Sequence, residues 1–572
     1  MPDIKRRKIE AQADLPDYPD WLARIFSSRG VQSTKELNYT LGNLPAPNLM
    51  KGTQLAAQSL AEAIANKQRL LIVADYDVDG ATSCTLMMKV LRAMGATHVE
   101  YLVPDRFKLG YGLSPGVVEL AKPYQPDWLI TVDNGIASLA GVTAAKDAGM
   151  RVLITDHHLP GEQLPAADVI VNPNQPGCQF PTKSLAGVGV AFYVLLALRQ
   201  ELRQRGWFEK QSIIEPNLGH YLDLVALGTV ADLVPLDHIN RCLVSQGLIR
   251  INQGLCCPGI STLLELARGQ QEFYQAQDLG FAVAPRLNAA GRLDDMTLGI
   301  ECLLSETKAG ALPLAEELNA WNLERRAIQD TMQQQANTIV NKYKTKDLAK
   351  QAGLCLYSDA WHEGVVGLVA SRIKDQVYRP TIVFAPADEP QMIKGSARSI
   401  KGIHIRDVLD LVASQKPHLL QKFGGHAMAA GLSIAKNHLE EFAEAFNHTV
   451  HDWSDPAVFE NILWSDGALI PADMTLDNAL LLEELGPWGQ QFSEPCFDGQ
   501  FEVYDWQILK DKHIKFQLEG NAGGILEAIA FNVDETLLET AFSRIEILYR
   551  MNVNRFRGSR RVQLLIDYLK PL

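Results

Sequence analysis

Asp75-Tyr76-Asp77-Val78-Asp79-Gly80 sets three aspartates at alternate positions directly after the apolar run Arg69–Ala74. That much negative charge on one turn calls for a cation. Asp-x-Asp-x-Asp-Gly also opens a calcium-binding EF-hand loop, whose last ligand is a glutamate six residues after the glycine. Leu86 stands there, so the calcium reading fails. Thr131-Val132-Asp133-Asn134-Gly135 ends a second apolar run in an aspartate before a glycine turn, and Ile154-Thr155-Asp156-His157-His158 ends a third in an acid and two imidazoles. Asp232 closes the run from Val225 to Ala231. Oxygen ligands with one or two imidazoles and no thiolate suit Mn²⁺ or Mg²⁺ better than zinc or copper. So many carboxylates exceed the needs of one ion. Two divalent cations about 3.5–4 Å apart, sharing a carboxylate and activating a water between them, are the arrangement that hydrolyses phosphoesters.

The elements that must position these residues alternate between strand and helix. Short buried runs predict strands at 69–74, 99–103, 128–132, 151–155 and 169–171, with helices over about 82–94, 115–121 and 138–148. That pattern is an α/β fold with a parallel sheet, whose strand ends form the ligand crevice. From Leu312 to Lys344 there is no glycine, and no proline after Pro313, while Leu314, Leu318, Trp321, Ile328, Met332, Ala336 and Ile339 mark one face of a long connecting helix. A second α/β-like unit runs from about 353 to 450, with the glycine-rich segments 394–399 and 423–431. Beyond it, strict alternation in His513–Leu518 predicts strands of a small barrel or sandwich. Arg555, Arg557, Arg560 and Arg561 surround Gly558-Ser559 and read as a basic hairpin tip. The basic start, Lys5-Arg6-Arg7-Lys8, reads as a solvated tail.

The chain has 572 residues, 47% of them apolar and 21% charged, which is the composition of three to five folded domains. No run approaches the length of a membrane span, and no apolar segment follows the basic start as a secretory signal requires. The eight cysteines include no CxxC pair, so neither a zinc cluster nor a disulfide framework is expected. A soluble, cytoplasmic protein is the expectation. The net charge of −13 argues against non-specific duplex binding, so a nucleic acid would be held by a local basic channel or through metal ions.

Asp77-Val78-Asp79-Gly80, Asp133-Asn134-Gly135, Asp156-His157-His158 and Asp232, in this order, resemble the DHH phosphoesterase superfamily. Leu102–Arg106, Tyr111–Pro115, Asn288–Leu293, Trp361–Gly367 and Phe423–His426 narrow the resemblance to its bacterial single-strand-specific 5′→3′ DNA exonucleases. The match runs from about Trp21 to the C-terminus.

The resemblance implies an N-terminal extension (1–40), a DHH catalytic domain with a helical extension (41–311) and a connecting helix (312–345). A DHHA1 substrate-binding domain (346–452) and an OB-like nucleic-acid-binding β-barrel (453–572) follow. Asp75, Asp77 and Asp133 would hold one cation, and Asp79, Asp133, His157 and Asp232 the other, with Asp133 shared. Asp133, His157 and His158 would be catalytic, His158 as a phosphate contact or an acid. Ser396, Arg398 and Arg106 would form a 5′-phosphate pocket, Tyr111 and Arg292 would line the strand path, and Gly424, Gly425 and His426 would face substrate phosphates. The catalytic and DHHA1 domains would form a cleft too narrow for duplex. The expected activity is release of 5′-mononucleotides from single-stranded DNA in recombination and repair. It would be performed by a monomer working with single-strand-binding protein and a helicase. A DHH hydrolase of short oligonucleotides or small phosphoesters would use the same ligands, and a non-catalytic DNA-binding scaffold would have lost them.

Overall fold

The computed structural model describes residues 2–9, 13–105, 109–293, 295–342, 351–387, 389–420, 422–520, 523–556 and 558–572. The chain divides into two compact units. One comprises Arg6–Asn319 with Trp464–Leu572, and the other Met1–Lys5 with Ala320–Leu463.

The basic start is not a solvated tail. Asp3–Arg6 forms strand β1, and Arg6 makes two hydrogen bonds, of 3.1 and 2.8 Å, to the Asp498 carboxylate. Partners nearly five hundred residues away cannot be read from local sequence.

In the larger unit, β2 (Leu70–Ala74), β3 (Val99–Leu102), β4 (Trp128–Val132), β5 (Arg151–Thr155) and β6 (Val169–Val171) form a wholly parallel sheet in the order β3-β2-β4-β5-β6. β2 and β4 are buried along their whole length. Such runs need cover on both faces. On one face Leu71, Val73, Leu129, Val152 and Ile154 pack with Val117, Val118, Val142 and Ala145 of the intervening helices. The chain leaves β2 toward β3 on one side and returns to β4 on the other, so the order reverses between β2 and β4. A ligand crevice opens at such a point.

The 35-residue helix Lys308–Lys342 continues without interruption, with Pro313 in its second turn. In the smaller unit, β7 (Leu354–Tyr357), β8 (Thr381–Pro386), β9 (Met392–Arg398), β10 (Lys422–Gly425) and β11 (Ala429–Ala435) form a mixed sheet ordered β10-β11-β9-β8-β7. The helix Val366–Val377 and the later turns of the long helix cover β7 and β8 through Met332, Ala336, Val340, Val366, Val369, Ala370 and Val383.

After β12 (Ile462–Ser465), strands β13 (Phe497–Leu509), β14 (His513–Glu519), β15 (Ile525–Ala530), β16 (Arg544–Phe556) and β17 (Ser559–Pro571) close into a barrel ordered β13-β14-β15-β17-β16. Ile514, Phe516 and Leu518 are fully buried while His513, Lys515 and Gln517 are not, as alternation requires. Beside the barrel, the Arg29 guanidinium pairs with both Asp466 oxygens at 2.9 Å, and both side chains are almost fully buried. The hairpin arginines are tied down too. Arg555 makes hydrogen bonds of 2.9 and 2.6 Å to Glu483, and Arg560 reaches Glu272 at 2.7 Å. These two therefore fasten the barrel to the helical part of its own unit instead of forming a free basic tip. Arg557 lies outside the described residues.

Candidate active site

Strand register builds the centre of the site. Ala74 pairs with Val132, Val132 with Thr155 and Thr155 with Val171, so these strand ends form one row. Asp75, Asp133 and Asp156 are the next residues on three adjacent strands. Asp133 turns off its strand with φ +62°, a left-handed conformation that aspartate tolerates better than bulkier residues. Its N–H donates to the Thr155 carbonyl at 3.0 Å, and Asn134 Nδ2 donates to the carbonyls of Val73 and Val132.

Asp77 caps the helix Val78–Ala93, its side chain accepting from Gly80 N–H at 3.0 Å. The helix thus begins four residues before the periodicity suggests, and Asp79 lies in its first turn. A second helix, Gly187–Gln204, aims its first N–H groups at Asp79: both Gly187 and Val188 donate to it. A helix N-terminus stabilises a carboxylate in this way. Asp232 comes from neither a strand nor a loop tip but caps the C-terminal end of the helix Leu222–Ala231.

Glycines set the packing distances. A Cβ at Gly187 would lie 2.7 Å from the Asp133 side chain, one at Gly228 would lie 2.9 Å from Asp79 Oδ1, and one at Gly291 would strike the Tyr76 carbonyl at 2.0 Å. Gly187, Val188 and Gly228 are functional positions that sequence reasoning missed. The glycines at the start of one helix and near the end of another were the available signal. Gly291 accounts for the glycine in Asn288–Leu293 and places the helix Ala284–Leu293, with Arg292, against the first aspartate loop.

These elements bring the ligands together. His157 Nε2 lies 3.1 Å from Asp133, 3.4 Å from Asp232 and 4.0 Å from Asp79. Three sets of potential ligand atoms cluster within 4.8 Å: Asp75, Asp77 and Asp133; Asp79, His157 and Asp232; and Asp133, His157 and His158. Asp156 faces inward as a brace. It accepts from the N–H groups of Ile136, His157 and His158, and from His158 Nδ1 at 2.8 Å. The Tyr111 hydroxyl donates to the Asp133 carbonyl at 3.1 Å and lies 3.1 Å from His158 Nδ1. Tyr111 thus touches the catalytic cluster while half its surface remains open.

The electrostatics ask for positive charge. Burial, then the neighbouring carboxylate of Asp77, pushes Asp79 up to about 7. Burial and then Asp79 push Asp133 and Asp232 well above the carboxylate range. Burial would raise Asp156 as well, but its bonds with His158 outweigh that and lower it; the same pairing raises His158 against the pull of burial. Asp133 Oδ1 is buried and accepts no hydrogen bond among the described residues. An acidic, shared, oxygen-rich donor set of this kind fits divalent cations.

The smaller unit carries a second constellation. Arg398 Nη1 donates to Ser396 Oγ and to the Ala397 carbonyl, both at 2.8 Å. Burial lowers the Arg398 guanidinium from its ordinary value. A Cβ at Gly367, in the first turn of Val366–Val377, would lie 2.8 Å from Arg398 and 3.0 Å from Ser396. Bare backbone at a helix start, a hydroxyl and a guanidinium therefore converge, as phosphate binding requires. Register carries the row onward from Ser396 to Gly431 to Gly424 across three strands. Gly425 is required by its own backbone: at φ +149°, a Cβ there would meet the Ala429 carbonyl at 2.4 Å. His426 N–H donates to that same carbonyl at 2.8 Å. Arg106 lies outside the described residues.

Comparison with known proteins agrees with this geometry. Residues 69–229 match the model of the DHH family, N-terminal domain; residues 350–452 match the DHHA1 domain, and residues 465–568 the RecJ OB domain. The chain is 48% identical over 570 residues to the single-stranded-DNA-specific exonuclease RecJ of Dickeya dadantii, covering 99% of each chain. The chain belongs to the RecJ family. A crystal structure of RecJ from Thermus thermophilus in complex with Mn²⁺ superposes with a TM-score of 0.78 at 28% identity, covering 96% of this chain and 76% of that one. The Mg²⁺ complex of the same RecJ gives 0.72 at 26%, covering 97% and 75%. Both metals are thus found in RecJ structures, and the acidic cluster here is one that can hold them. Among the described residues, no helix is long and apolar enough to cross a membrane.

Proposed function

We propose that this chain degrades single-stranded DNA from its 5′ end, releasing 5′-mononucleotides by two-cation hydrolysis. The observation that carries the reading is the alignment of three strand ends that brings Asp75, Asp133 and the Asp156-His157-His158 turn to one level, within reach of Asp79 and Asp232. Asp75, Asp77 and Asp133 form one ligand set. Asp79, Asp133, His157 and Asp232 form the other, with Asp133 common to both. When bound, two Mn²⁺ or Mg²⁺ ions supply Lewis acidity toward the phosphodiester and a water acidic enough to attack it. Asp156 holds His158 in the orientation and charge state that donate to a phosphate oxygen or to the leaving oxygen. Ser396, Arg398 and Arg106 are assigned to the terminal phosphate, Tyr111 and Arg292 to the strand path, and Gly424, Gly425 and the His426 side chain to the strand's phosphates.

The proposed domains are the extension 1–40, the catalytic domain 41–311, the connecting helix 312–345, the DHHA1 domain 346–452 and the OB-like domain 453–572. Family membership further supports a cytoplasmic monomer acting in recombination and repair, supplied with single strands by a helicase and working on strands covered by single-strand-binding protein.

The test is digestion of 3′-labelled single-stranded DNA, with and without a 5′ phosphate, in Mn²⁺ or Mg²⁺. A ladder that shortens from the 5′ end and is absent on blunt duplex is expected. Hydrolysis of dinucleotides alone would move the chain to the small-substrate branch of the superfamily.

A further inference from the structure

Two large apolar side chains, Leu233 and Phe281, stand in solvent on elements packed around the helix end that delivers Asp232. Leu233 follows Asp232 directly, is 69% exposed, and adopts φ +58°. A side chain as bulky as leucine is strained in that conformation, and glycine would adopt it freely. Left in water, the leucine gains little from burial in return. Phe281, also 69% exposed, projects from the single π-helical turn Leu279–Val283, and such turns recur at functional positions. Leu233 and Gly280, the residue before Phe281, share a neighbour. Leu233 N–H donates to the Val230 carbonyl at 3.3 Å, and Gly280 lies so close that a Cβ there would be 3.2 Å from Val230 Cγ1. Both exposed residues therefore adjoin, through Val230, the helix end that delivers Asp232, whose carboxylate lies 3.4 Å from His157.

We propose that Leu233 and Phe281 form a platform on which nucleobases of the substrate strand rest while its phosphodiester reaches the aspartates, which makes them specificity-determining residues. The inference rests on the exonuclease reading above. Beside Asp232, Asp79 and Asp133 the carboxylates repel phosphates, so contact with the uncharged part of the nucleotide adds grip that these acids cannot supply. Every base has an apolar π-face, so stacking holds a strand without reading its sequence. A base inside a duplex already has both faces stacked on its neighbours and offers neither. The platform thus favours single strands by contact, independently of any steric limit.

Leu233→Gly suits the left-handed backbone, and Phe281→Ala removes an exposed ring, so both variants are expected to keep the wild-type melting temperature and Mn²⁺ affinity. On single-stranded DNA, KM is expected to rise about tenfold in either variant, within the range that loss of one stacked base produces. Phe281→Tyr should restore it. An abasic residue scanned through the first nucleotides should weaken the wild type at one or two positions and erase its advantage over the variants there. If the wild type degrades single strands while both variants stay within twofold in KM at every position, the platform is overturned and the exonuclease reading stands. If the wild type leaves single strands intact in both metals, both fall.

Discussion

The larger unit gathers charge in two places and treats it in opposite ways. Around the barrel, several acids meet a guanidinium: Asp466 pairs with Arg29, Glu483 and Glu272 with Arg555, and Asp567 with Arg550 at 2.9 Å. At the strand ends, Asp79, Asp133 and Asp232 converge on a single imidazole, and burial drives their proton affinities up. Paired charge is architecture here, because the ions cancel in place and fix one element against another. Charge left to accumulate is a binding site waiting for something positive. The same residue types thus do two jobs, separated by whether a counter-ion belongs to the chain.

The contrast can be broken by mutation, and the largest effect is expected at the aspartate cluster. Asp133→Asn keeps both the shape and the left-handed turn but deletes one charge, so single-strand digestion should fall by at least about a thousandfold. Calorimetry in chelator at pH 8 should meanwhile show no loss of stability, since an acid whose ionised form burial and Asp79 disfavour has gone. A large loss would mean that Asp133 is paired structurally after all.

Asp466→Ala should do the reverse. It strands the buried Arg29 charge and costs about 3–5 kcal/mol of stability by denaturant titration, while digestion well below the melting temperature persists.

Titration sharpens the comparison further. With Asp79 raised to about 7 and Asp133 and Asp232 raised well above the usual range, the folded, cation-free protein holds protons that the unfolded chain has lost. Cation-free stability should therefore fall as pH rises from about 4, the unfolded carboxyl value, toward the folded values. Binding must also expel those protons, so apparent Mn²⁺ affinity should strengthen between about pH 6 and 8. Calorimetric titration in two buffers of different ionisation enthalpy reads the proton release directly, and a pH-independent affinity would contradict it.

The smallest change is expected at the exposed pair of Arg560 and Glu272. Arg560→Ala should shift stability by less than about 0.5 kcal/mol and leave single-strand affinity nearly unaltered. A marked loss of affinity would return the hairpin to the nucleic-acid surface.

What could be read from sequence follows the range of the forces involved. β2 and β4 are buried throughout and β5 and β6 nearly so, and their bounds are legible to within a residue. Asp75, Asp133 and Asp156 are legible because each follows such a run. β9, β10 and β11 are not, since Gly395, Gly424, Gly425 and Gly431 supply no side chain to alternate. The helix Leu222–Ala231 is almost wholly buried, which erases its period and leaves only an apolar stretch before Asp232. The start of Val78–Ala93 was hidden because the capping residue is itself one of the acidic residues. Arg6, Arg555 and Arg560 look free locally because their acids are distant in the chain, and the donation from Gly187 and Val188 to Asp79 bridges more than a hundred residues.

β2, β4 and β5 each contain five residues, and their ends are level. Strand length is therefore the ruler that sets the gap between Asp75, Asp133 and Asp156. One residue deleted inside β4 would draw Asp133 back by about 3.3 Å and turn alternate side chains to the wrong face. The same deletion between Tyr124 and Trp128, at the far end of the strand, would be taken up by the connection. Chain length can change at one end of this sheet while the other stays gauged to a single residue.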